Sequence, residues 1–345
     1  MGKNTPILPL RILIPVPVPV PVIVPVPVIV PVIVPVIVFV IVPVIVPVIV
    51  PVPVIVFVIV PVPVPVIVIV MNLLFFVVGP APILHMQAMY AIRTAYAHAR
   101  PDDRLYILTD APALYASLPI VTVLPLTAEE ISRWKGDQGY FFRVKINAIR
   151  KFVAAHPDED VMFMDSDTYC IQDFSGIPAL LSQGYGVMHL DEGSMEQMKG
   201  QSGEMWQQTC GKTFAGITIG PQHHMWNSGI VAIPAANAVT VMDKALELCD
   251  AFLAAGVTCF NLEQWAVAIA LQEEVRQHTI REAHRLFGHY WHHKYVWCEY
   301  ITRFFTYSYA YGRTLEQELE AIRHTNHRSL ARKLAIKRTL LKLLH

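Results

Sequence analysis

The stretch Phe141–Cys170, FFRVKINAIRKFVAAHPDEDVMFMDSDTYC, decides the fold of this chain. Its first half has apolar residues at helical spacing, which form one face: Phe142, Ile146, Ile149 and Val153. The helix is followed by a short apolar run that ends at Asp165 and Asp167. A helical run that leads into a short buried strand is typical of an α/β domain with a mostly parallel sheet.

Strands and helices alternate on both sides of this stretch. Apolar runs that predict strands occupy residues 72–79, 104–110, 120–126, 185–193 and 225–234. Runs that predict helices occupy residues 84–101, 235–256 and 263–275. The Gly-, Gln- and Thr-rich segment 203–216 predicts a loop. Ligands of α/β sheets bind at the carboxyl ends of strands, and Gly79, Asp110 and the two aspartates all fall at such ends.

The composition divides the chain into two unlike parts. Overall 54% of the 345 residues are hydrophobic, but residues 1–70 carry only two charges, Lys3 and Arg11. This leaves 25 of the 27 Lys and Arg residues against all 27 Asp and Glu residues in residues 71–345. Such a near-neutral part gives no reason to expect nucleic acid as a partner. The five cysteines form no CxxC pair, so neither a zinc knuckle nor a disulfide framework is indicated.

The N-terminal part is a repeat in which every even-numbered residue from 16 to 70 is valine. Its frequent prolines oppose a membrane-spanning helix, because each one removes a backbone donor and clashes with the preceding turn. An extended arm is compatible with valine and proline, but its apolar surface would aggregate unless it were covered. A strict two-residue period also fits a translated simple DNA repeat. We therefore expect residues 1–70 to lie outside the native fold, with the true start at Met71.

Asp165 and Asp167 form the group with the clearest chemistry. In extended backbone two residues separated by one other point to the same side, so both carboxylates can share one cation. Oxygen ligands suit Mn²⁺ or Mg²⁺, and an ion held by two side chains retains open positions for phosphate oxygens. The bland alternative is that both acids end a strand and begin a turn.

The stretch Phe141–Cys170 resembles the metal-binding segment of GT-A glycosyltransferases, with family 8 nucleotide-diphospho-sugar transferases as the nearest likeness. The similarity continues in order through WNSGIVAI (226–233), NLEQWAVAIAL (261–271) and HYWHHK (289–294), and covers roughly residues 71–300. It implies a single Rossmann-like GT-A domain over these residues. The family's late motif usually ends in K-P-W, whereas this chain has KYVW (294–297) at that place.

The resemblance implies a role for each matching residue. Asp165, Asp167 and His289 would hold Mn²⁺ or Mg²⁺ against the diphosphate of a nucleotide sugar, with UDP-sugar expected. His292 and His293 compete with His289 for this role. Cofactor and donor contacts are implied for Gly79, Asp110, Arg143, Asn227, Ser228 and Lys294. Catalytic positions beside the anomeric carbon are implied for Glu263 and Gln264.

The stereochemistry and the lid of such an enzyme remain open at this level. The likeness to family 8 favours retention, whereas inversion needs a carboxylate base near the acceptor, such as Asp191 or Glu192. The segment 191–216 is the candidate lid.

The C-terminal residues 301–345 form a basic, helix-favouring tail. Residues 321–345 contain seven Lys and Arg residues and no acid, so they either bind an anionic membrane surface or dock on the domain. We expect a cytoplasmic protein, attached peripherally to the inner face of the membrane.

The expected function is transfer of a sugar from the nucleotide donor to a glycan or lipid-linked glycan acceptor. One alternative is a nucleotidyltransferase of similar fold, which would need a Gly-rich basic loop after the first strand. The other is a non-catalytic, membrane-associated carbohydrate-binding or scaffold module.

Overall fold

The computed structural model describes residues 70–344 and, before them, only the antiparallel strand pair β1 (Val44–Ile45) and β2 (Ile55–Val56). By contacts the chain divides into two units, residues 1–65 and residues 66–345. The prediction that residues 1–70 are not part of the native fold lies almost entirely outside the described residues. Everything below concerns the second unit.

Seven strands of residues 70–344 form one central sheet. They are β3 (Met71–Val77), β4 (Arg104–Thr109), β5 (Thr122–Pro125), β6 (Asp160–Met164), β8 (Gly186–Ser194), β11 (His224–Ile233) and β12 (Ile280–Glu282). Their order is β12-β8-β11-β6-β3-β4-β5. All neighbouring pairs are parallel except the two that involve β11, which runs antiparallel to both β6 and β8. The predicted α/β fold with a mostly parallel sheet is therefore confirmed.

Helices cover both faces of the sheet. Those of the described chain are α1 (Pro82–His98), α2 (Ala128–Trp134), α3 (Arg143–Ala155), α4 (Ile177–Ser182), α5 (Gly200–Thr209), α6 (Ala235–Ala254), α7 (Leu262–Glu274), α8 (Lys294–Ala310), α9 (Leu315–Arg323) and α10 (His327–Leu344). Two small antiparallel pairs complete the fold: β7 (Thr168–Cys170) with β13 (Phe287–His289), and β9 (Thr213–Phe214) with β10 (Ile217–Thr218).

The first strand shows why the core has two layers. Successive side chains of a strand point to opposite faces, and β3 is buried on both. Leu74 joins the core under α3, α6 and α7, whereas Leu73 and Phe75 join the core under α1 and α4. This double burial explains why β3 is an unbroken apolar run rather than an alternating one.

The topology defines where a ligand is expected. From β3 the chain continues to β4 and β5 on one side of the sheet, and then crosses to β6 on the other side of β3. The carboxyl ends of β3 and β6 therefore frame a topological switch point, the place where open α/β sheets bind ligands. Val77 and Val78 end the first of these strands, and Asp165 follows the second.

The segment predicted as a loop, 203–216, is corrected by the structure. It contains most of α5 and part of the β9–β10 hairpin. Met205 is fully buried and Trp206 nearly so, and both pack into the core with Met195. The sequence predicts a loop because glycine and glutamine surround Met205 and Trp206, the two residues whose burial stabilises α5.

The C-terminal tail is attached to the domain as far as the side chains are described. The expected boundary at residue 300 falls inside α8, and α9 and α10 pack against α1 and α8. Leu334 of α10 is buried beside Trp297, and His327 accepts or donates a 2.9 Å hydrogen bond with the hydroxyl of Tyr90. In residues 70–344 no helix combines the length and the apolar character needed to cross a bilayer.

Candidate metal and nucleotide site

The two aspartates lie in the turn that joins β6 to β7. Asp165 follows the last residue of β6, and its backbone N–H donates to the carbonyl of Gly229 at 2.9 Å. The hydroxyl of Thr168 donates to the Asp165 carbonyl at 2.6 Å and closes the turn. The expectation of extended backbone here is therefore wrong. The turn still brings both carboxylates to the carboxyl end of the sheet.

His289 reaches the aspartates through a strand pairing distant in sequence. β13 runs antiparallel to β7, with His289 opposite Thr168. One ligand atom from each of Asp165, Asp167 and His289 lies within 4.8 Å of the others. Of the three candidate histidines, the structure thus brings His289 to this group.

The hydrogen bonds of Asn227 fix the orientation of the His289 ring. The amide oxygen of Asn227 accepts from the backbone N–H of Gly229 at 3.0 Å, and its NH₂ donates to Glu192 at 2.9 Å. This oxygen also lies 2.8 Å from Nδ1 of His289, so Nδ1 must be the donor. Nε2 then faces Asp167 Oδ1 at 3.2 Å. If the imidazole is neutral, Nε2 is an acceptor, and so is the facing oxygen Oδ1 of Asp167. Two acceptors at this distance repel each other unless a proton or a cation lies between them.

This donor set fits a divalent cation. Two carboxylates and one imidazole suit Mn²⁺, and the second ring nitrogen of a metal-binding histidine normally donates to a fixed acceptor, as Nδ1 does here. Asp165, Asp167 and His289 would hold the ion, with Asn227 orienting the imidazole.

Lys294 also binds Asp167. Its ammonium donates to Oδ2 at 3.0 Å, and the lysine side chain is 47% exposed. Burial opposes ionisation of Asp167, but His289 and Lys294 outweigh it and hold the pKa of this carboxyl below its ordinary value. Asp167 is therefore an anion that already attracts cations.

Lys145 forms the floor of the site. Its ammonium donates to Asp165 Oδ2 at 3.0 Å and to the carbonyl and hydroxyl of Ser228 at 3.0 and 2.9 Å, and it lies 3.4 Å from Glu263. Burial lowers the pKa of Lys145, but the nearby carboxylates more than offset this and raise it overall. Burial raises the pKa of Glu263, although Lys145 opposes the shift. The floor therefore carries a charged, buried lysine.

A cavity of about 370 Å³ opens onto these residues. This is within the range of ~300–1,000 Å³ typical of small-molecule sites. Its polar lining includes Lys145, Asp165, Asp167, Glu192, Asn227, Ser228, Glu263, Gln264, His289 and Lys294. Gln264 connects two of its walls, since it accepts from the backbone N–H of Ser228 at 3.1 Å and donates to Glu192 at 3.1 Å.

Four residues predicted for the site lie outside the cavity lining. The guanidinium of Arg143 forms a bidentate pair with Asp250 at 2.6 and 2.9 Å. The carboxylate of Asp191 accepts from Nδ1 of His224 at 2.9 Å, and its neighbour Glu192 faces the cavity instead. The carboxylate of Asp110 accepts from the N–H of Gly79 at 2.9 Å, so these two residues meet, but beyond the cavity wall.

The two other candidate histidines, and three tryptophans of the domain, have packing or hydrogen-bond partners outside the metal group. Trp206, Trp226 and Trp265 are at most 9% exposed and belong to the core. His293 lies 3.3 Å from a guanidinium nitrogen of Arg338, and the His292 ring stacks on Trp291.

Sequence reasoning missed Lys145, although one signal was present. Arg143 and Lys145 are two residues apart on one helix, and residues at this spacing do not share a face. Only one of the two can therefore enter the site. Burial of the neighbouring Val144 and Ile146 does not show whether Arg143 or Lys145 enters the site. The reason is that the aliphatic part of the Lys145 side chain is itself buried on its way to the cavity.

Comparisons with known proteins add no family assignment: no protein-family model matches this chain, and a search of curated proteins found no significant similarity.

Proposed function

We propose that this protein is a metal-dependent glycosyltransferase of the GT-A type, which transfers a sugar from a nucleotide-diphosphate donor, expected to be a UDP-sugar, to a glycan or glycolipid acceptor. The observation that carries the proposal is the meeting of Asp165, Asp167 and His289 with Lys294 at the switch point of a mostly parallel sheet.

The charges of the site support a diphosphate leaving group. Transfer of a sugar from a nucleotide donor releases a nucleoside diphosphate, on which negative charge grows as the bond breaks. A divalent ion supplies Lewis-acid stabilisation of that charge, worth several kcal/mol in general. Lys294 is half exposed and lies at the same carboxylate, so its ammonium can turn from Asp167 to a phosphate oxygen.

The residues around the floor have roles that do not depend on the metal. Lys145 holds Asp165 in place, and Ser228 and Gln264 fix one another. The amide of Gln264 and the carboxylate of Glu192 face the cavity and suit hydrogen bonds with sugar hydroxyls. Glu263 is 4% exposed and bound to Lys145 and Ser228, so we assign it to positioning rather than to direct contact with the donor.

Calorimetric titration with Mn²⁺ and UDP tests the donor half of the proposal. We expect UDP binding that requires Mn²⁺ and is lost in Asp167→Asn, while Asp243→Asn, at an exposed ion pair, binds like the wild type. A screen of nucleotide sugars, with NMR of the anomeric proton of the product, then tests transfer and distinguishes retention from inversion.

The alternatives give different results in the same titration. A nucleotidyltransferase would bind a nucleoside triphosphate with Mg²⁺ and release pyrophosphate, but the segment Gly79–Ala81 after β3 has no basic residue to hold a triphosphate. A scaffold module would bind neither Mn²⁺ nor UDP. Attachment to a membrane through residues 321–345 stays a prediction, for which liposome binding of the full chain and of a variant shortened at residue 325 is the measurement.

A further inference from the structure

Four exposed aromatic side chains line the mouth of the cavity: Phe141, Phe142, Phe260 and Trp291, with exposed fractions of 46%, 41%, 60% and 44%. They come from three separate segments of the chain, before α3, before α7 and before α8. We call this group the aromatic rim. Exposed aromatic rings that converge on one cavity are typical of a binding site rather than of ordinary surface.

Hydrogen bonds of Tyr140 join two of the three segments that carry the aromatic rim. Its hydroxyl donates to the carbonyl of Phe260 at 2.8 Å and accepts from the backbone N–H of Glu263 at 3.2 Å. The Tyr140 and Phe142 rings lie 5.8 Å apart, and Phe141 meets Phe142 edge to face at 5.8 Å. The segment before α3, with Phe141 and Phe142, is thus tied to the segment before α7, with Phe260.

Three polar side chains of the same cavity are joined by hydrogen bonds. Asn227 and Gln264 each donate to a different oxygen of Glu192, at 2.9 and 3.1 Å. Each carboxylate oxygen retains lone-pair capacity for another donor. A hydrocarbon ligand would cover this carboxylate without donating to it, which is unfavourable by a few kcal/mol. A ligand with both an apolar face and hydroxyl donors fits the rim and the floor together.

We propose that the aromatic rim and Glu192 form an acceptor subsite for a pyranose sugar. The apolar C–H face of the ring lies on the rim aromatics, and its hydroxyls donate to Glu192. This inference rests on the proposed function, because an acceptor subsite has meaning only beside a donor site. It specifies the acceptor as a sugar ring and identifies the residues that select it.

Saturation-transfer NMR with defined glycosides tests the subsite. The probes are methyl β-D-galactopyranoside, methyl β-D-glucopyranoside, lactose and cellobiose, added to the full chain with Mn²⁺ and UDP. We expect at least one probe to bind, with the saturation strongest at the protons of one ring face. Phe260→Ala and Trp291→Ala should each weaken that binding by about 3- to 10-fold, the range of an aromatic contact. Glu192→Gln should also weaken it.

Tyr309→Ala is the matched control, since Tyr309 is 90% exposed and does not line the cavity. It should bind the probes like the wild type, and thermal unfolding of all variants checks that they fold. The proposal is overturned if no probe binds while Mn²⁺-dependent UDP binding is intact, or if the rim variants bind the probes like the wild type. It is also overturned if Trp291→Ala weakens the binding of UDP but not that of the glycosides, because the aromatic rim would then hold the nucleotide base. Glycoside binding without UDP binding would uphold the sugar subsite and remove the proposed transferase.

Discussion

The site contains two lysines, each bound to one aspartate, but in opposite surroundings. Lys145 on the floor is 8% exposed and shares its ammonium among Asp165, Ser228 and Glu263. Lys294, beside the metal group, is 47% exposed, and its described bond is to Asp167 alone. Both distances are 3.0 Å.

The same bond length therefore has different consequences. A buried ion pair cannot lose one partner without leaving an uncompensated charge in a region of low dielectric. A half-exposed pair exchanges its partner with water or a ligand at little cost. We infer that Lys145 belongs to the scaffold and that Lys294 is available to a substrate.

Replacement of Lys145 is the strongest test of this contrast. Lys145→Met leaves the buried Glu263 and the partly buried Asp165 without their cation, and should lower the free energy of unfolding by about 3–5 kcal/mol. Urea unfolding is the measurement. Lys151→Met is the control, since Lys151 lies on the same helix with its side chain 44% exposed, and should change stability by less than about 1 kcal/mol. A Lys145→Met protein as stable as its control would contradict a scaffold role.

Substitution of Gly229 tests whether the backbone of β11 leaves the space that the His289 ring needs beside Asp165 and Asp167. A Cβ built at this position overlaps with Nδ1 of His289 and meets the Asn227 amide oxygen at 3.0 Å. Gly229→Ala should therefore displace the imidazole and lower Mn²⁺ affinity by about 10- to 100-fold, as loss of an orienting partner does in metal sites. Gly176→Ala is matched to it, because nothing lies within 4 Å of its added Cβ. Calorimetry with Mn²⁺ compares them, and equal affinities would show that the ring does not need this space.

Replacement of Lys294, the half-exposed lysine, tests the other half of the contrast by ligand affinity. Lys294→Met removes one charge-assisted hydrogen bond to the diphosphate and should weaken UDP binding in the presence of Mn²⁺ by about tenfold or more. Lys244→Met, at a surface pair with Glu247, should not change it. If Lys294→Met instead lowered stability as much as Lys145→Met, the distinction between scaffold and available lysine would fail.

The smallest effect is in the pH dependence of stability. Lys294 helps to hold the pKa of Asp167 below its ordinary value of 3.8, so it stabilises the fold while Asp167 is ionised. The difference in unfolding free energy between wild type and Lys294→Met should be about 1 kcal/mol above pH 5. It should persist as the pH falls through 3.8 and be lost only as the pH falls through the lowered pKa of Asp167 in the folded protein. Urea unfolding at pH 7 and at the lowest pH at which both proteins fold follows it, and equal stability of the two proteins at pH 7 would contradict a stabilising pair.

The sheet and its helices could be predicted because local pattern and tertiary environment agree. β3 is a continuous apolar run and is buried on both faces. α3 presents the predicted apolar face at Ile146, Ile149 and Val153, whereas Phe142 precedes the helix and is 41% exposed. α5 could not be predicted, since its helical state depends on burial of Met205 and Trp206 against distant parts of the chain.

The site could be predicted only at positions where the motif specifies one residue, without a neighbour that could take the same role. Asp165, Asp167 and His289 meet as expected. Glu192 and Asp191 are neighbours on one strand and point to opposite faces, so the sequence alone cannot tell which enters the cavity. The shift in register between β8 and β11 beside Trp226 adds to this ambiguity.

The pairing of β13 with β7 has a consequence for folding itself. His289 and Asp167 are 122 residues apart in the chain, so their cation site exists only after the whole domain has formed. A bound ion would then act as a selective stabiliser of the complete fold, by about 2.7 kcal/mol at a concentration of one hundred times its dissociation constant. The free energy of unfolding of this chain would then depend on the concentration of divalent metal.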